Sequence, residues 1–355
     1  MSGEALFTTI FGRGLVRELP LIAHPPYLVV TMDDLWPRFE PELRGDLAGV
    51  HLVHTLDVTE LEAGLPDLPA AASVIGLGGG QAIDVAKFIA WRRRLPLFQV
   101  PTAMTVNAPF GHRAGLRVDG HVRYLGWAVP EAVYVDIDVV QGAPAALNRS
   151  GIGDILCYHT AHRDWQIADA AGRTEARWPY DADLVAAARL RLDSVLGALD
   201  DIREVTEVGI RTLMEAHRWG GAAFHNAGWN PRHIEGVEHF LFYNLERRTG
   251  RHFMHGQPVG LGVVLGSILQ DNEPERMMGV LVRAGVDVRP SAMGLTWEDV
   301  GEAVLTLPSC VREAGLWFTV ADTTPTDAGT VDRLRTLVEA AYAAPGLATI
   351  AAGRR

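Results

Sequence analysis

The sequence predicts an α/β N-terminal domain with a doubly wound parallel sheet, followed by an all-α C-terminal domain. Two observations lead to this fold class. Short β-rich runs bounded by Gly, Pro or Asp alternate with helical stretches in the first part of the chain. Further on, the chain is rich in Ala, Leu, Arg and Glu with apolar residues at helical spacings. We therefore predict two domains, residues 1–145 and 146–355.

The strands of the first domain are predicted from its apolar runs. Continuous runs such as YLVV and SVIGLG suit strands buried on both faces, which is the condition of a doubly wound sheet. The predicted strands are Tyr27–Thr31, His51–Thr55, Ser73–Gly78, Leu97–Pro101 and Ala132–Ile137.

Two further segments have clear local signals. Ala114–Gly126 has two β-like arms around Asp119-Gly120, and a DG pair between such arms predicts an inserted hairpin. The segment 182–224 has apolar residues at three- and four-residue spacings, which indicates successive helices.

Composition excludes several classes of protein. The 355 residues include 32 Lys+Arg and 43 Asp+Glu, a formal net charge of −11, with Arg dispersed along the chain, so nucleic acid is not the expected partner. The apolar fraction of 48% is enough for a sizeable core and argues against disorder. No apolar run approaches the ~20 residues of a membrane span. With only two cysteines and no signal-peptide pattern, we expect a cytoplasmic protein without membrane contact.

A glycine run lies between a predicted strand and a predicted helix. Gly78, Gly79 and Gly80 follow the strand, and Gln81 begins the helical pattern. This geometry lets backbone N–H groups and the helix dipole approach a phosphate. The alternative is a tight strand–helix turn, and the run is not the GxGxxG fingerprint.

Asp33 directly follows the strand run YLVVTM. An acidic side chain there accepts hydrogen bonds from an adenosine ribose and repels a 2′-phosphate, which favours NAD over NADP. A helix N-cap or an exposed loop acid is the alternative interpretation.

One carboxylate and two imidazoles are sufficient protein ligands for a catalytic divalent metal. Asp154, His239 and His255 form such a set, but they are far apart in the chain and no local motif joins them. Asp154 is flanked by glycine near a predicted helix start, so a helix cap is its alternative role.

Several segments together resemble the metal-dependent alcohol dehydrogenases, and most closely the sn-glycerol-1-phosphate dehydrogenase branch. Glycerol dehydrogenase and 3-dehydroquinate synthase are more distant relatives. The resemblance implies the dehydroquinate synthase-like fold and a homo-oligomer. It rests on five ordered motifs: the runs 78–87 and 100–109, Gly153-Asp154 with Asp164-Trp165 downstream, Gly236–His239, and His255-Gly256.

The resemblance implies a role for each matched position. Asp154, His239 and His255 match the ligands of one divalent metal, Zn²⁺ or Fe²⁺. The positions that match cofactor contacts, with NAD preferred and NADP allowed, are Asp33, Gly78, Gly79, Gly80, Gln81, Thr102 and Thr105.

The chain also departs from the family pattern. Asn107 replaces an aspartate that lies near the substrate hydroxyls, so the resemblance implies a catalytic and substrate-binding position with altered chemistry. Phe110, His112 and Arg113 replace a run of small residues, and Gln257-Pro258 replaces an acidic residue. These changes suggest a substrate other than glycerol-1-phosphate itself.

The expected activity is NAD(P)-linked oxidation of a small polyol or polyol phosphate in the cleft between the domains. Arg232 is the candidate for binding an anionic substrate group, because a guanidinium suits phosphate; an exposed ion pair is its alternative role. A sugar phosphate cyclase that uses NAD transiently is the alternative function. That class needs more basic residues near the metal, and usually a glutamate in place of Asp154. A third reading, a non-enzymatic descendant of the fold, conflicts with the intact Asp/His/His set.

Overall fold

The computed structural model describes residues 7–343. Contacts divide the chain into two compact units, residues 1–148 with 204–229, and residues 149–203 with 230–355. The predicted boundary near residue 145 stays a prediction, and the second segment of the first unit contains one long helix. Within the described residues, no helix is both long and apolar enough to cross a membrane.

The strands all lie in the first unit. They are β1 (Thr8–Gly12), β2 (Tyr27–Thr31), β3 (Leu47–Leu52), β4 (Ser73–Gly78), β5 (Leu97–Pro101), β6 (Ala114–Val118), β7 (His121–Leu125) and β8 (Ala132–Asp136).

The helices are α1 (Leu19–Ile22), α2 (Trp36–Leu43), α3 (Val58–Gly64), α4 (Gly80–Arg93), α5 (Ile137–Gln141), α6 (Ala145–Ala170), α7 (Ala182–Gly197), α8 (Leu199–Arg203), α9 (Glu207–Asn226), α10 (Val237–Thr249), α11 (Gly256–Leu269), α12 (Pro274–Ala284), α13 (Trp297–Leu305), α14 (Leu307–Ala314) and α15 (Ala328–Ala343).

Six strands form one parallel sheet in the order β1-β8-β5-β4-β2-β3, as the fold class predicts. Every residue of β2, β4, β5 and β8 is buried, which explains their continuous apolar runs. One buried cluster includes Leu28 and Phe88, and the other includes Val29 and Phe39. Adjacent residues of β2 therefore contribute to different clusters, one on each face of the sheet.

Three strands differ from the sequence prediction. The smallest difference is in β8, which ends at Asp136 and not at the predicted Ile137, because Ile137 is the first residue of α5. The strand predicted at His51–Thr55 was wrong in position: β3 is Leu47–Leu52, because its partner β2 ends at Thr31, which pairs with Leu52. The chain then turns into α3, where Asp57 accepts hydrogen bonds from two backbone N–H groups of the first turn. The edge strand β1 was not predicted; it pairs in parallel with β8 and is only half-buried.

The predicted hairpin is confirmed. Strands β6 and β7 pair antiparallel around Asp119 and Gly120, whose φ angles are 51° and 74°. Positive φ at both central residues is the geometry of a type I′ turn. After β8 the described residues contain helices and no further strand, which confirms the helical C-terminal part.

Candidate functional site

The three predicted metal ligands converge in the second unit. Asp154 lies on α6, His239 on α10, and His255 directly before α11. The Asp154 Oδ1 atom is 3.4 Å from His239 Nε2 and 3.2 Å from His255 Nε2. Ligand atoms from all three lie within 4.8 Å of one another. One carboxylate oxygen thus faces two imidazole nitrogens, a spacing that a single divalent cation can bridge.

Glycines allow the helices of this site to approach closely. A Cβ on Gly153 would lie 1.9 Å from the Gly256 carbonyl oxygen, and a Cβ on Gly256 would lie 1.6 Å from that of Ser150. Nonbonded atoms cannot approach so closely, so no residue with a Cβ atom fits at either position. The glycine that precedes Asp154 and the glycine that follows His255 therefore bring α6 and the start of α11 into backbone contact.

A second carboxylate supports His239 from the other side of its ring. Glu238 is fully buried, and its Oε1 atom lies 3.1 Å from His239 Nδ1. The same oxygen accepts a hydrogen bond from the Gly236 N–H (2.6 Å), and Oε2 accepts one from the Thr160 hydroxyl (2.8 Å). With Nδ1 held as a donor to Glu238, Nε2 is the nitrogen that faces Asp154 and would bind a metal. Sequence reasoning did not assign Glu238 to the site, although its position next to a ligand histidine was a usable signal.

The carboxylates on either side of His239 favour a positive charge at this site. Burial lowers the pKa of His239, but hydrogen bonds with Asp154 and Glu238 outweigh burial and raise that pKa to about 10. Two buried carboxylates therefore hold a proton on the ring between them. A divalent cation at the Asp154 side of the ring satisfies the same excess of negative charge, so this donor set fits a metal.

Asp164 anchors the start of α10. Its carboxylate accepts hydrogen bonds from the Val237 and Val320 N–H groups and from the Gln270 side chain, at 2.8–2.9 Å. Burial, and then the charge of Glu238, raise the pKa of Asp164 to about 7 although these hydrogen bonds oppose the shift. The residue fixes the helix that presents His239.

The predicted cofactor residues lie at the carboxyl ends of adjacent strands in the first unit. β4 ends at Gly78, and α4 begins at Gly80 without a side-chain cap. A Cβ on Gly79 would meet nothing within 4 Å, so the backbone before α4 is open to a ligand. The uncapped N-terminus of a 14-residue helix presents N–H groups and a positive dipole end. Gln81, in its first turn, is half-buried.

Neighbouring strand ends complete this edge of the sheet. The Thr102 N–H donates to the Gly78 carbonyl (3.1 Å), and the side chains of Thr102 and Thr105 are buried. Asp33 follows β2 and is 62% exposed, with its Oδ2 atom 3.4 Å from His54 Nδ1. His54 was not predicted; it follows β3, the strand beside β2.

The two predicted substrate residues have different surroundings. Asn107 precedes a 3₁₀ turn, Ala108–Phe110, and is half-buried. The Arg232 side chain is 1% exposed, and its guanidinium forms a bidentate pair with Glu175 at 2.9 Å and donates to the Phe318 carbonyl. Because these acceptors occupy all three guanidinium nitrogens, Arg232 is engaged in a buried ion pair within its own unit. These contacts favour an ion-pair role, and the role of Arg232 as a substrate anchor stays a prediction.

Comparison with known proteins identifies the family. Residues 40–144 match the family model described as iron-containing alcohol dehydrogenase. The chain is 30% identical over 260 residues to a glycerol-1-phosphate dehydrogenase [NAD(P)+] of Hyperthermus butylicus, covering 70% of this chain and 72% of that protein. This chain belongs to the iron-containing alcohol dehydrogenase family. A glycerol-1-phosphate dehydrogenase [NAD(P)+] of Thermofilum pendens is 29% identical over 334 residues, 91% of this chain and 94% of that protein.

Solved structures share the fold. A probable glycerol dehydrogenase from Sinorhizobium meliloti 1021 superposes with a TM-score of 0.74 at 19% identity, covering 96% of this chain and 99% of that chain. Glycerol dehydrogenase from Schizosaccharomyces pombe gives a TM-score of 0.70 at 18% identity, covering 97% and 94%. The fold predicted from the sequence is therefore confirmed over nearly the whole chain.

Proposed function

We propose that this chain is a metal-dependent, NAD(P)-linked dehydrogenase acting on a small polyol or polyol phosphate. The main support is the convergence of Asp154, His239 and His255 on one point, in a member of the iron-containing alcohol dehydrogenase family. The substrate class is suggested by the relatives named glycerol-1-phosphate dehydrogenase [NAD(P)+].

Asp154, His239 and His255 are the proposed ligands of one divalent ion, Zn²⁺ or Fe²⁺. When bound, the ion supplies Lewis acidity that favours the deprotonated form of a substrate hydroxyl. The protein's part is to fix the donors: Glu238 keeps His239 Nδ1 as a donor, and the glycine contacts hold Asp154 beside His255.

The glycine segment before α4 is the proposed pyrophosphate site of the dinucleotide. Open backbone at Gly79 and the helix N-terminus attract phosphate oxygens. Thr102 and Thr105 follow β5 at the adjacent strand end and offer hydroxyl groups. Asp33 accepts hydrogen bonds from the adenosine ribose, which favours NAD over NADP.

Asn107 is the proposed contact to substrate hydroxyls. Its amide both donates and accepts hydrogen bonds, but unlike a carboxylate it cannot take up a proton at neutral pH. Asn107 therefore orients the substrate without serving as a base, and proton release must use another group or water.

Removal of one ligand tests the proposal. We expect His239→Ala to abolish alcohol-dependent NADH formation, followed by absorbance, and to lose the bound metal while NAD affinity and the fold are kept. His252→Ala is the matched control, because His252 is three residues before His255 but is 63% exposed and faces Glu246.

The outcomes are distinct. Full activity in His239→Ala, or one equivalent of metal retained when His239 and His255 are both replaced, would contradict the proposed site. Accumulation of NADH also separates a dehydrogenase from a cyclase that regenerates its NAD within each turnover. Reconstitution with Zn²⁺ or Fe²⁺ after chelation identifies the active metal.

A further inference from the structure

A cluster of imidazole, guanidinium and indole groups lies within the first unit. None of its residues is a proposed ligand of the metal or of the dinucleotide. The His112 cluster consists of His112, Arg113, Trp127, His225 and Trp229. The ring centroids of His112 and His225 are 4.4 Å apart, and the Trp229 ring lies 5.0 Å from that of His225. The Arg113 guanidinium carbon lies 3.9 Å from the Trp229 ring centroid. The two imidazoles and the guanidinium therefore lie close together beside the two indole rings.

Four buried nitrogens of this cluster have no hydrogen-bond partner. His112 is 1% exposed, yet neither of its ring nitrogens has a hydrogen-bond partner, and the same holds for the buried His225 Nδ1 and Arg113 Nε. Among residues 7–343, the Arg113 guanidinium has no carboxylate partner; its contact is the face of Trp229. Buried polar groups are nearly always satisfied in native proteins, so these four nitrogens are positioned to bind a ligand or water.

The charge around the cluster is positive. Lys87 lies beside it, donating from Nζ to the Arg113 carbonyl (2.6 Å) and the Ala108 carbonyl (3.0 Å), and it pairs with Asp84 at 2.6 Å. Burial, followed by the nearby charges of His225 and Lys87, lowers the pKa of His112 to about 4. His112 is therefore neutral at pH 7 and has one N–H to donate. The Asp84 carboxylate is engaged with Lys87, so the ligand that fits the remaining donors is an anion.

Backbone packing holds the cluster in place. A Cβ on Gly221 would lie 2.7 Å from the backbone of Phe110, so α9 packs directly on the 3₁₀ turn. This contact sets His225, on α9, against His112. Gly228 and Trp229 both have positive φ, 70° and 62°, and this tight turn folds the Trp229 ring back onto His225. The donors are thus fixed before a ligand arrives, which reduces the entropy lost on binding.

We infer that Arg113, His112 and His225 form a subsite for a tetrahedral oxyanion, the phosphoryl or phosphonate group of the substrate. The inference rests on the proposed dehydrogenase function and specifies its substrate class as anionic. Arg113 lies six residues after Asn107, the proposed contact to substrate hydroxyls. A guanidinium presents donors that match phosphate oxygens, and two imidazoles add further donors. Arg232, the other candidate, is already paired with Glu175.

Direct binding of inorganic phosphate tests the subsite. The metal-loaded full chain is titrated with phosphate at constant ionic strength by calorimetry, with tryptophan fluorescence as a second signal from Trp127 and Trp229. We expect Arg113→Met to weaken phosphate binding by about 10- to 100-fold, the scale of hydrogen bonds to charged groups. Arg94→Met removes an exposed arginine of the same unit and should bind phosphate like the wild type.

A second variant separates ligand binding from a packing role. His112→Phe keeps an aromatic ring in the cluster and removes both unsatisfied nitrogens. We expect it to keep the wild-type melting temperature or raise it while weakening phosphate binding. Phosphate affinity unchanged from the wild type in both Arg113→Met and His112→Phe, or equally reduced in Arg94→Met, would overturn the inference.

Kinetics distinguish failure of the subsite from failure of the proposed function. For Arg113→Met, we expect KM for glycerol-1-phosphate to rise by the same factor as the phosphate dissociation constant, and kcat/KM for uncharged glycerol to fall by a much smaller factor. If the wild type oxidises glycerol but phosphate binding does not depend on Arg113, only the subsite is wrong. If no alcohol is oxidised but phosphate binding depends on Arg113, the subsite stands and the dehydrogenase proposal fails.

Discussion

Glu238 illustrates how a residue next to a ligand can serve the same site. Consecutive residues on a helix point about 100° apart, so Glu238 and His239 cannot face one ligand in the same way. The structure resolves this by placing the Glu238 carboxylate on the Nδ1 side of the ring, opposite the Asp154 side. The carboxylate is buried, and its two oxygens contact three donors, so its position is strongly fixed.

We predict that Glu238 tunes metal affinity through this hydrogen bond. Glu238→Ala should weaken metal binding by about 10- to 100-fold, the usual effect of losing a carboxylate behind a ligand histidine. Glu238→Gln should stay close to the wild type, because its amide oxygen still accepts from His239 and Gly236. Competition with a chromophoric chelator measures both constants. Equal losses in the two variants would show that charge, and not ring orientation, is what Glu238 contributes.

Asp33 is the residue that we expect to set the cofactor preference. We predict that the wild type prefers NAD, and that Asp33→Ser narrows its preference over NADP by about 1 kcal/mol. This is less than the roughly 1.5–3 kcal/mol of a hydrogen bond to a charged group, because Asp33 is 62% exposed and solvent screens its charge. The measurement is kcat/KM for both cofactors, with Asp34→Ser as the control on the adjacent exposed acid. A wild type that favours NADP would show that Asp33 does not contact the ribose.

The sequence indicated which residues belong to the site better than it indicated which residues they contact. Asp154, His239 and His255 were selected by resemblance, since their spacing alone contains no metal motif. Whether an arginine can bind substrate depends on contacts with residues distant in sequence. Glu175, 57 positions from Arg232, forms an ion pair with it, whereas the Arg113 guanidinium lies over the ring of Trp229. No local pattern in the chain distinguishes these two arginines.

At the scale of elements, buried strands were easier to predict than edge strands. β2, β4 and β5 were predicted with correct bounds, because burial on both faces requires an unbroken apolar run. β3 and β1 lie at the two edges of the sheet and are half-buried throughout or nearly so, which weakens that pattern. Their limits are set by the length of the partner strand, which is not a local property of sequence.

Close helix packing gives an element-scale prediction. Gly256→Ala would place a Cβ 1.6 Å from the Ser150 carbonyl oxygen and force α6 and α11 apart. We expect a loss of about 4 kcal/mol or more in the free energy of unfolding, together with loss of metal. Gly279→Ala, inside α12, is the control: its Cβ would meet nothing within 4 Å, so it should stabilise by about 0.5–1 kcal/mol. Urea denaturation measures both, and a Gly256→Ala protein as stable as wild type would contradict the packing.

At the scale of the whole molecule, both units bury ionisable side chains as well as apolar ones, and in the first unit these include Lys87 and His112. The first unit is built around the parallel sheet with apolar clusters on both faces, as the unbroken apolar run of β2 predicts. The helical unit also buries ionisable groups, including Asp164, His162, His233 and His239. Composition reports 13 histidines but not which of them are buried. The pH dependence of stability therefore follows from the structure and not from the sequence.

Burial lowers the pKa of His162 and of His233 from the ordinary value of 6.5 to about 3. In the unfolded chain both rings bind a proton near pH 6.5, so between about pH 6.5 and 3 the unfolded state holds more protons than the folded state. Stability from these groups is complete above pH 6.5 and is lost as the pH falls through that window, by at most about 1.4 kcal/mol per pH unit for each ring. We expect His162→Asn to show a shallower decline than wild type between pH 6.5 and 4.5 in urea unfolding, and exposed His24→Asn to match wild type. Parallel declines in wild type and His162→Asn would mean that His162 does not fold in its neutral form.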